Sequence, residues 1–195
     1  MKYYIMFGPP GAGKGTHAVA LRDKYNLCHL STGELLRAEI AAGTGLGRQA
    51  QKLIEGGNLV PDDVVEKMIE KRFNSITDVE GFLLDGFPRT LGQANDLDKM
   101  LAERGESVTA VLSLMIPDEM VHQRIRRRAA IEGRADDASD VVIQNRINTY
   151  HAQTEPLIEY YKKQGKYFEV QADADTIEEN RARVLDLMAK INARQ

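Results

Sequence analysis

The chain has 195 residues, of which 43% are apolar and 28% are charged, a size and balance that suit one globular α/β domain with small inserts. Its single cysteine, Cys28, excludes an intramolecular disulfide and a multi-cysteine zinc site. The net charge of −3 gives no general attraction to nucleic acid, and no apolar run has the length of a signal peptide or a membrane span. We therefore expect a cytoplasmic protein without nucleic-acid or membrane partners.

Short apolar runs alternate with helical patterns along the chain, and each run predicts a buried strand. The runs are Tyr3–Phe7, Cys28–Leu30, Phe82–Gly86, Val108–Ile116 and Tyr167–Val170. Strands that alternate with helices predict a parallel sheet covered by helices on both faces. The expected fold class is a three-layer α/β/α arrangement around a five-stranded parallel sheet.

Several helix boundaries carry recognisable signals. Ser31-Thr32-Gly33-Glu34 has the form of a capping box with Ser31 as N-cap. Pro61-Asp62-Asp63 predicts a helix with Pro61 at its first position and acids in its first turn. Between these signals, five glycines in fifteen residues indicate hinges around a movable segment. Other helices are predicted at Thr16–Tyr25, Thr90–Glu103, Pro117–Ala130, Asp140–Lys163 (one long helix) and Ile177–Ile191.

A glycine-rich loop, Gly8-Pro9-Pro10-Gly11-Ala12-Gly13-Lys14-Gly15-Thr16, joins the first predicted strand to a helix. This is the context of a phosphate-binding loop, in which backbone N–H groups and a helix N-terminus hold a triphosphate and the lysine reaches its β- and γ-phosphates. The general pattern has Ser or Thr directly after the lysine, whereas here Gly15 stands there and Thr16 supplies the hydroxyl. The loop predicts ATP contacts from Gly11, Ala12, Gly13, Lys14, Gly15 and Thr16.

Asp85 stands near the end of the predicted strand at Phe82–Gly86, where a carboxylate can hold Mg²⁺, directly or through water, beside the phosphates. A phosphate monoester needs no general base to act as nucleophile, because its second pKa of about 6 leaves it a dianion at neutral pH. Catalysis by alignment and charge neutralisation is then expected, and arginine is well suited to both.

Arginines are clustered in this net acidic chain. Arg124 and Arg128 are four residues apart and share one helix face, whereas Arg126 and Arg127 are interpreted as solvated surface charges. A basic RNA-binding face is the alternative interpretation, but the interleaved aromatic residues of such a face are missing. The further candidates for phosphate binding are Arg37, Arg89, Arg134 and Arg146.

Three motifs together resemble those of the adenylate kinases. They are Gly8–Thr16, Ser31–Arg37 (Ser-Thr-Gly-Glu-Leu-Leu-Arg) and Asp85–Thr90 (Asp-Gly-Phe-Pro-Arg-Thr). The resemblance extends essentially from end to end, and Gly15 followed by Thr16 is the usual form in that family. It implies reversible phosphoryl transfer from MgATP to AMP, giving two ADP. It also implies a core (1–30, 61–127 and 140–195), an AMP-binding insert (31–60) and a lid (128–139).

The resemblance further implies roles for individual residues at the AMP site. Thr32 and Gln93 would contact the adenine, and Arg37 and Arg89 the phosphate. A cis peptide is expected before Pro88. The remaining AMP contacts implied are Asn58, Leu59, Val60, Gly86, Phe87, Pro88, Arg134 and Arg146.

For ATP, the resemblance implies contacts from Arg124 near the adenine, from Arg128, and from a loop that includes Ala174. Asp136 and Asp137 would arrange the arginines of the lid. Because the lid is short and the chain has one cysteine, no structural zinc is expected, and Mg²⁺ would arrive with ATP. A monomer is expected, with ATP, AMP and ADP as partners. The implied catalytic set is Lys14, Arg89, Arg128, Arg134 and Arg146.

Three alternatives stay open at this point. A UMP/CMP kinase shares the fold and most arginines, although the residue matching Thr32 is typically Ala in those relatives. A nucleotide-gated switch is a second alternative, but the guanine-reading Asn-Lys-x-Asp sequence is absent. An RNA-binding module without enzymatic activity is the third, and it predicts an affinity that falls steeply with salt.

Overall fold

The structure, a computed structural model, describes residues 1–133 and 139–194. Arg134, Asp136 and Asp137, which the sequence assigns to the lid, lie outside the described residues. The whole predicted sheet and the proposed AMP-binding insert lie within them.

A five-stranded parallel sheet forms the centre of the molecule, which confirms the predicted α/β fold class. The strand order is β2-β3-β1-β4-β5. Met6 of β1 and Ser31 of β2 both pair in register with Asp85 of β3. The carboxyl ends of these strands thus lie side by side, where ligands bind in open α/β sheets. The strands are β1 (Lys2–Phe7), β2 (Leu27–Ser31), β3 (Gly81–Asp85), β4 (Ala110–Met115) and β5 (Tyr167–Gln171).

Helices cover both faces of the sheet, and their start signals work largely as predicted. The Ser31 hydroxyl accepts a hydrogen bond from Glu34 N at 3.3 Å, which confirms the N-cap. Pro61 is the N-cap of its helix rather than the first helical residue. The helices are α1 (Lys14–Tyr25), α2 (Thr32–Ala41), α3 (Gly45–Glu55), α4 (Asp62–Ser75), α5 (Leu91–Ala102), α6 (Asp118–Glu132), α7 (Asp140–Thr149), α8 (Leu157–Lys163) and α9 (Ile177–Asn192).

The single long helix predicted from Asp140 to Lys163 is wrong. A wider π-helical turn at Tyr150–Thr154 separates α7 from α8, and Glu155 N donates to Tyr150 O at 2.8 Å across it. Pro156 follows this turn, and proline lacks the N–H that a continuous α-helix needs. The apolar spacing continues through the turn, so the pattern by itself did not show the break.

The hydrophobic core lies on both sides of the sheet. Along β1, Tyr3, Ile5 and Phe7 belong to the core cluster on one face, whereas Tyr4 and Met6 belong to the cluster on the other. All five are at most 3% exposed. Burial on both faces explains why β1 is a continuous apolar run, as is typical of parallel sheets. The strand is thereby held firmly behind the glycine-rich loop.

Candidate active site

The loop between β1 and α1 builds an anion site. Gly13 is the N-cap of α1 with φ 91° and ψ 19°, a left-handed conformation that favours glycine. No side chain in the described ranges caps α1, so the amides of its first turn can bind a ligand. Gly11 to Thr16 all line one cavity, the larger of two that adjoin here.

Lys14 lies at the centre of a cationic cluster. Its Nζ donates to Gly8 O at 2.9 Å and to Pro9 O at 3.0 Å. The pKa of Lys14 is lowered to about 7, chiefly by burial; the charge of Asp85 opposes this shift, and the charges of Arg89, Arg128 and Arg146 add to it. A cation held in such surroundings gains strongly from a nearby phosphate, because the anion restores the charged state.

Asp85 lies beside the glycine-rich loop, because a Cβ on Gly15 would be 3.5 Å from Asp85 Oδ2. It lines the larger cavity, as do Glu34, Glu132 and Asp175. Its Oδ2 lies 3.4 Å from His29 Nε2. Burial alone would raise the pKa of Asp85, but the His29 hydrogen bond and the charge of Lys14 outweigh it and hold the pKa below its usual value. The carboxylate therefore stays ionised at neutral pH.

The smaller cavity gathers most of the residues predicted for AMP. Phe87 is the exception, because its ring is 0% exposed and belongs to the hydrophobic core. The predicted cis peptide joins Phe87 to Pro88. The predicted residues that line the cavity are Thr32, Arg37, Asn58, Leu59, Val60, Gly86, Pro88, Arg89, Gln93 and Arg146.

Thr32 and Gly86 fit closely against each other at this cavity. The Thr32 hydroxyl donates to Gly86 O at 3.0 Å. A Cβ on Gly86 would lie 2.6 Å from Thr32 Oγ1 and 2.8 Å from an Arg89 guanidinium nitrogen, and its φ is 85°. Both the space and the backbone conformation therefore require glycine at position 86.

Arg89 is held in place through its backbone and its side chain. Its N–H donates to Gln93 Oε1 at 2.7 Å, and its carbonyl accepts from the Thr154 hydroxyl at 2.7 Å. Its Nε donates to Gly86 O at 2.8 Å. Thr154 comes from the π-helical turn, a feature that occurs often at functional sites. The turn therefore helps to position Arg89, a residue predicted to bind phosphate.

The far end of the larger cavity is built from α6, α9 and the loop after β5. Arg124 donates to Ala172 O at 2.7 Å. Asn180, which is 4% exposed, pairs with the backbone of Ala174: it accepts from Ala174 N at 3.0 Å and donates to Ala174 O at 3.1 Å. The loop predicted to contact the ATP adenine is therefore fixed by two side chains.

Sequence reasoning did not assign several residues to this cavity, among them His17, Arg127 and Asn180. Arg127 is exposed, as the sequence interpretation had it, and it also lines the cavity. The pKa of His17 is lowered to about 4 by burial and by Arg181 and Arg124, so its imidazole is neutral. The position of His17 directly after Thr16 was an available signal, but Asn180 had none in the sequence.

The two cavities share one wall. The residues that line both are Pro10, Lys14, Gly33, Arg37, Arg89 and Arg146. Four of these six carry a positive charge, so two anionic ligands, one in each cavity, would meet at the same cations. Of the predicted catalytic residues, the structure brings together Lys14, Arg89, Arg128 and Arg146, and Arg134 lies outside the described residues.

Two other kinds of site, a metal centre built from several side chains and a membrane span, are absent within residues 1–133 and 139–194. No cluster there has three or more His, Cys, Asp or Glu side chains placed to bind a metal ion. No helix in those ranges combines the length and the apolar character needed to span a membrane.

Known proteins resemble this chain over most of its length. The family described as Adenylate kinase matches residues 6–166. An adenylate kinase from Stenotrophomonas maltophilia is 43% identical over 93% of this chain and 96% of its own. One from Bacteroides thetaiotaomicron is 45% identical over 84% of this chain and 86% of its own. One from Flavobacterium psychrophilum is 46% identical over 85% of this chain and 87% of its own. The chain belongs to the adenylate kinase family and is an enzyme that transfers a phosphoryl group between ATP and AMP.

Proposed function

We propose that AMP occupies the smaller cavity and ATP the larger one, and that phosphoryl transfer takes place at their shared wall. The observation that carries this proposal is the set of four cations, Lys14, Arg37, Arg89 and Arg146, that lines both cavities. Two polyanions repel each other in water, so an enzyme that joins them must supply positive charge between them. A protein that binds only one nucleotide has no need of cations that line two cavities at once.

In the smaller cavity, Arg37 and Arg89 would bind the AMP phosphate, since the guanidinium fork matches phosphate oxygens. Thr32 and Gln93 are 3% and 2% exposed and carry the polar groups suited to the base. The backbone at 58–60 closes the same cavity. This assignment retains every predicted AMP residue in the described ranges except the Phe87 ring.

In the larger cavity, the N-terminus of α1 would hold the ATP phosphates, and Lys14 would exchange its two carbonyl acceptors for phosphate oxygens. Arg124 and the loop at 172–176 would surround the adenine. Arg128 would add charge at the transferring phosphoryl group, together with Arg146. The predicted role of Arg134 at the same group stays a prediction.

The AMP phosphate would attack as a dianion, so no side chain has to remove a proton. The chain's own residues would align the two phosphates, exclude water and neutralise charge. Mg²⁺ would enter as part of MgATP and offset charge on the β- and γ-phosphates. Asp85 fits this ion, because Mg²⁺ in proteins usually keeps several waters and takes only one or two carboxylates. The carboxylate is ionised and lies beside Gly15 of the loop.

We also propose that residues 31–60 form the AMP-binding insert and residues 128–139 the lid of a cytoplasmic monomer. Asn145 of α7 connects the proposed insert to the helix that carries Arg146. Its Nδ2 donates to Gly56 O at 2.6 Å and to Asn58 Oδ1 at 3.2 Å. Arg146, the next residue, lines both cavities. AMP bound against the backbone at 58–60 would therefore contact a segment that is hydrogen-bonded to α7, the helix that carries Arg146.

The substrate assignment is tested with purified protein, MgATP and AMP, UMP, CMP or GMP in turn, with diphosphate formation followed by chromatography. ADP formation with AMP far faster than turnover of the other three supports the assignment of Thr32 and Gln93 to adenine. Faster turnover of UMP or CMP would overturn that assignment while leaving the phosphate chemistry intact. ATP hydrolysis that AMP does not affect would overturn the two-cavity proposal.

A further inference from the structure

The Gln93 side chain makes two hydrogen bonds and is the acceptor in one and the donor in the other. This side chain lines the smaller cavity and is 2% exposed. Its Oε1 accepts from the Arg89 N–H at 2.7 Å, and its Nε2 donates to Asp62 Oδ1 at 2.8 Å. The amide therefore has one end tied to a donor and the other end tied to an acceptor.

Asp62 acts on the cavity only through other residues. It is the first residue of α4 and comes shortly after the backbone at 58–60. Its Oδ1 accepts from Gln93, and its Oδ2 accepts from the Thr90 hydroxyl at 3.2 Å. Within the described lining of the two cavities, Asp62 does not occur. Both carboxylate oxygens are thus engaged with the segment at 89–93, which carries Arg89.

These contacts define the orientation of the Gln93 amide. A primary amide has nearly the same shape when it is rotated by 180° about its last bond, but its donor and acceptor exchange places. After that rotation, the Gln93 NH₂ would face the Arg89 N–H and its oxygen would face the Asp62 carboxylate. A backbone N–H can only donate, and an ionised carboxylate can only accept. Both contacts would become repulsive, so the rotated amide is excluded.

Amide orientation matters for the choice of purine. A 6-amino purine presents an amino donor beside a ring-nitrogen acceptor, whereas a 6-oxo purine presents a carbonyl acceptor beside a ring N–H donor. In its fixed orientation, Gln93 still has one N–H and one Oε1 lone pair to offer a base. A fixed amide matches one of these two edges, and an amide that rotates matches both.

We propose that Asp62 is a positioning residue that selects the base of the monophosphate, because together with the Arg89 N–H it fixes the Gln93 amide in the orientation that would suit a 6-amino purine. The inference rests on the proposed AMP site. It extends that site to a residue that does not touch the substrate. Asp62 thereby couples the first turn of α4 to the segment that carries both Gln93 and Arg89.

The test compares Asp62→Ala with Asp63→Ala. Asp63 is the next residue of the same helix turn, is exposed, and contacts Lys67 at 3.5 Å. Each variant removes one negative charge from the N-terminus of α4, but only Asp62→Ala removes the Gln93 contact. Asp62→Asn is added because its amide oxygen can still accept from Gln93, and Gln93→Ala is added as a probe of the proposed AMP site.

Steady-state kcat and KM are measured for AMP and for IMP, the 6-oxo counterpart, and KM is measured for ATP. We expect Asp62→Ala to lower the ratio of kcat/KM for AMP to that for IMP by about tenfold, the lower end of the effect of losing one hydrogen bond to a charged group, because the Arg89 N–H still opposes rotation of the amide. KM for ATP should stay unchanged in this variant. Asp63→Ala should keep the wild-type ratio, and Asp62→Asn should recover most of it.

Equal losses of activity toward AMP and IMP in Asp62→Ala, or the same behaviour in Asp62→Ala and Asp63→Ala, would overturn the role of Asp62. If Gln93→Ala raised KM for AMP in the same experiment, the proposed AMP site would survive that failure. If Gln93→Ala left KM for AMP unchanged, the site assignment itself would be wrong. Urea unfolding of each variant shows whether the comparison is made between folded proteins.

Discussion

ATP binding should be coupled to proton uptake by Lys14. With a pKa of about 7, this side chain is only about one-tenth protonated at pH 8 in the protein alone. Triphosphate oxygens that replace the Gly8 and Pro9 carbonyls would favour the ammonium and return the pKa toward its ordinary value of 10.5. Binding at pH 8 should then take up about 0.9 proton per ATP, the difference between the two protonated fractions.

The sign of the pH dependence follows from the same shift. The complex binds about half a proton more than the protein alone at pH 7 and nearly one proton more above pH 8. The dissociation constant for ATP should therefore rise about tenfold per pH unit above that value, until the pKa of Lys14 in the complex is reached. ATP itself contributes little at pH 8, because its terminal phosphate is already deprotonated there.

Isothermal titration calorimetry at pH 8, in buffers of different ionisation enthalpy, measures the uptake directly. The observed heat should vary linearly with the buffer enthalpy, with a slope of about one proton. Lys14→Arg is the matched control, because guanidinium stays charged at this pH, and its slope should be near zero. Heat that is independent of buffer in the wild-type protein would refute the argument about Lys14.

Three further changes test separate parts of the site. Thr154→Val removes the donor to Arg89 O, so KM for AMP should rise about fivefold, the effect of one neutral hydrogen bond, with KM for ATP unchanged. Asn180→Leu leaves the Ala174 N–H and carbonyl unpaired, so KM for ATP should rise about tenfold with KM for AMP unchanged; a reversed pattern in either variant would contradict the assignment of the cavities. The pKa of His151 is raised by its hydrogen bond with Glu155 and by Asp118, so the stability that His151 contributes, measured by urea unfolding as the difference between the wild type and His151→Gln, should fall as the pH rises through and above 6.5. His151→Gln should lose that dependence, and an identical pH profile in the two proteins would contradict it.

Local sequence was sufficient for the features that depend on neighbouring residues. The N-cap at Ser31, the glycine-rich loop before α1 and the apolar run of β1 were predicted and are present. The prediction of one helix from Asp140 to Lys163 failed because two local signals in that segment disagreed. The apolar spacing after Asp140 favoured one helix, whereas Pro156 and the turn before it divide that segment in two.

Contacts between distant segments could not be read in this way. The approach of Asp62 to Gln93 and of Thr154 to Arg89 depends on the order of elements around the sheet. The contact of Asn180 with Ala174, six residues away, depends on how the chain turns between β5 and α9. No spacing rule connects Asn180 with an ATP contact, and Arg127 had the same sequence signal as a solvated surface arginine. The structure alone placed both at the larger cavity.

Residue types alone indicated phosphate and Mg²⁺ chemistry. A glycine-rich loop, a carboxylate at the end of a strand (Asp85) and clustered arginines bind such groups because of their intrinsic charge and shape. The packing of the chain decided how those groups meet. The strand order β2-β3-β1-β4-β5 brings the ends of β1 and β3 together, so that Lys14 and Arg89 share one wall between two cavities. That arrangement depends on contacts over the whole sheet, which no local pattern encodes.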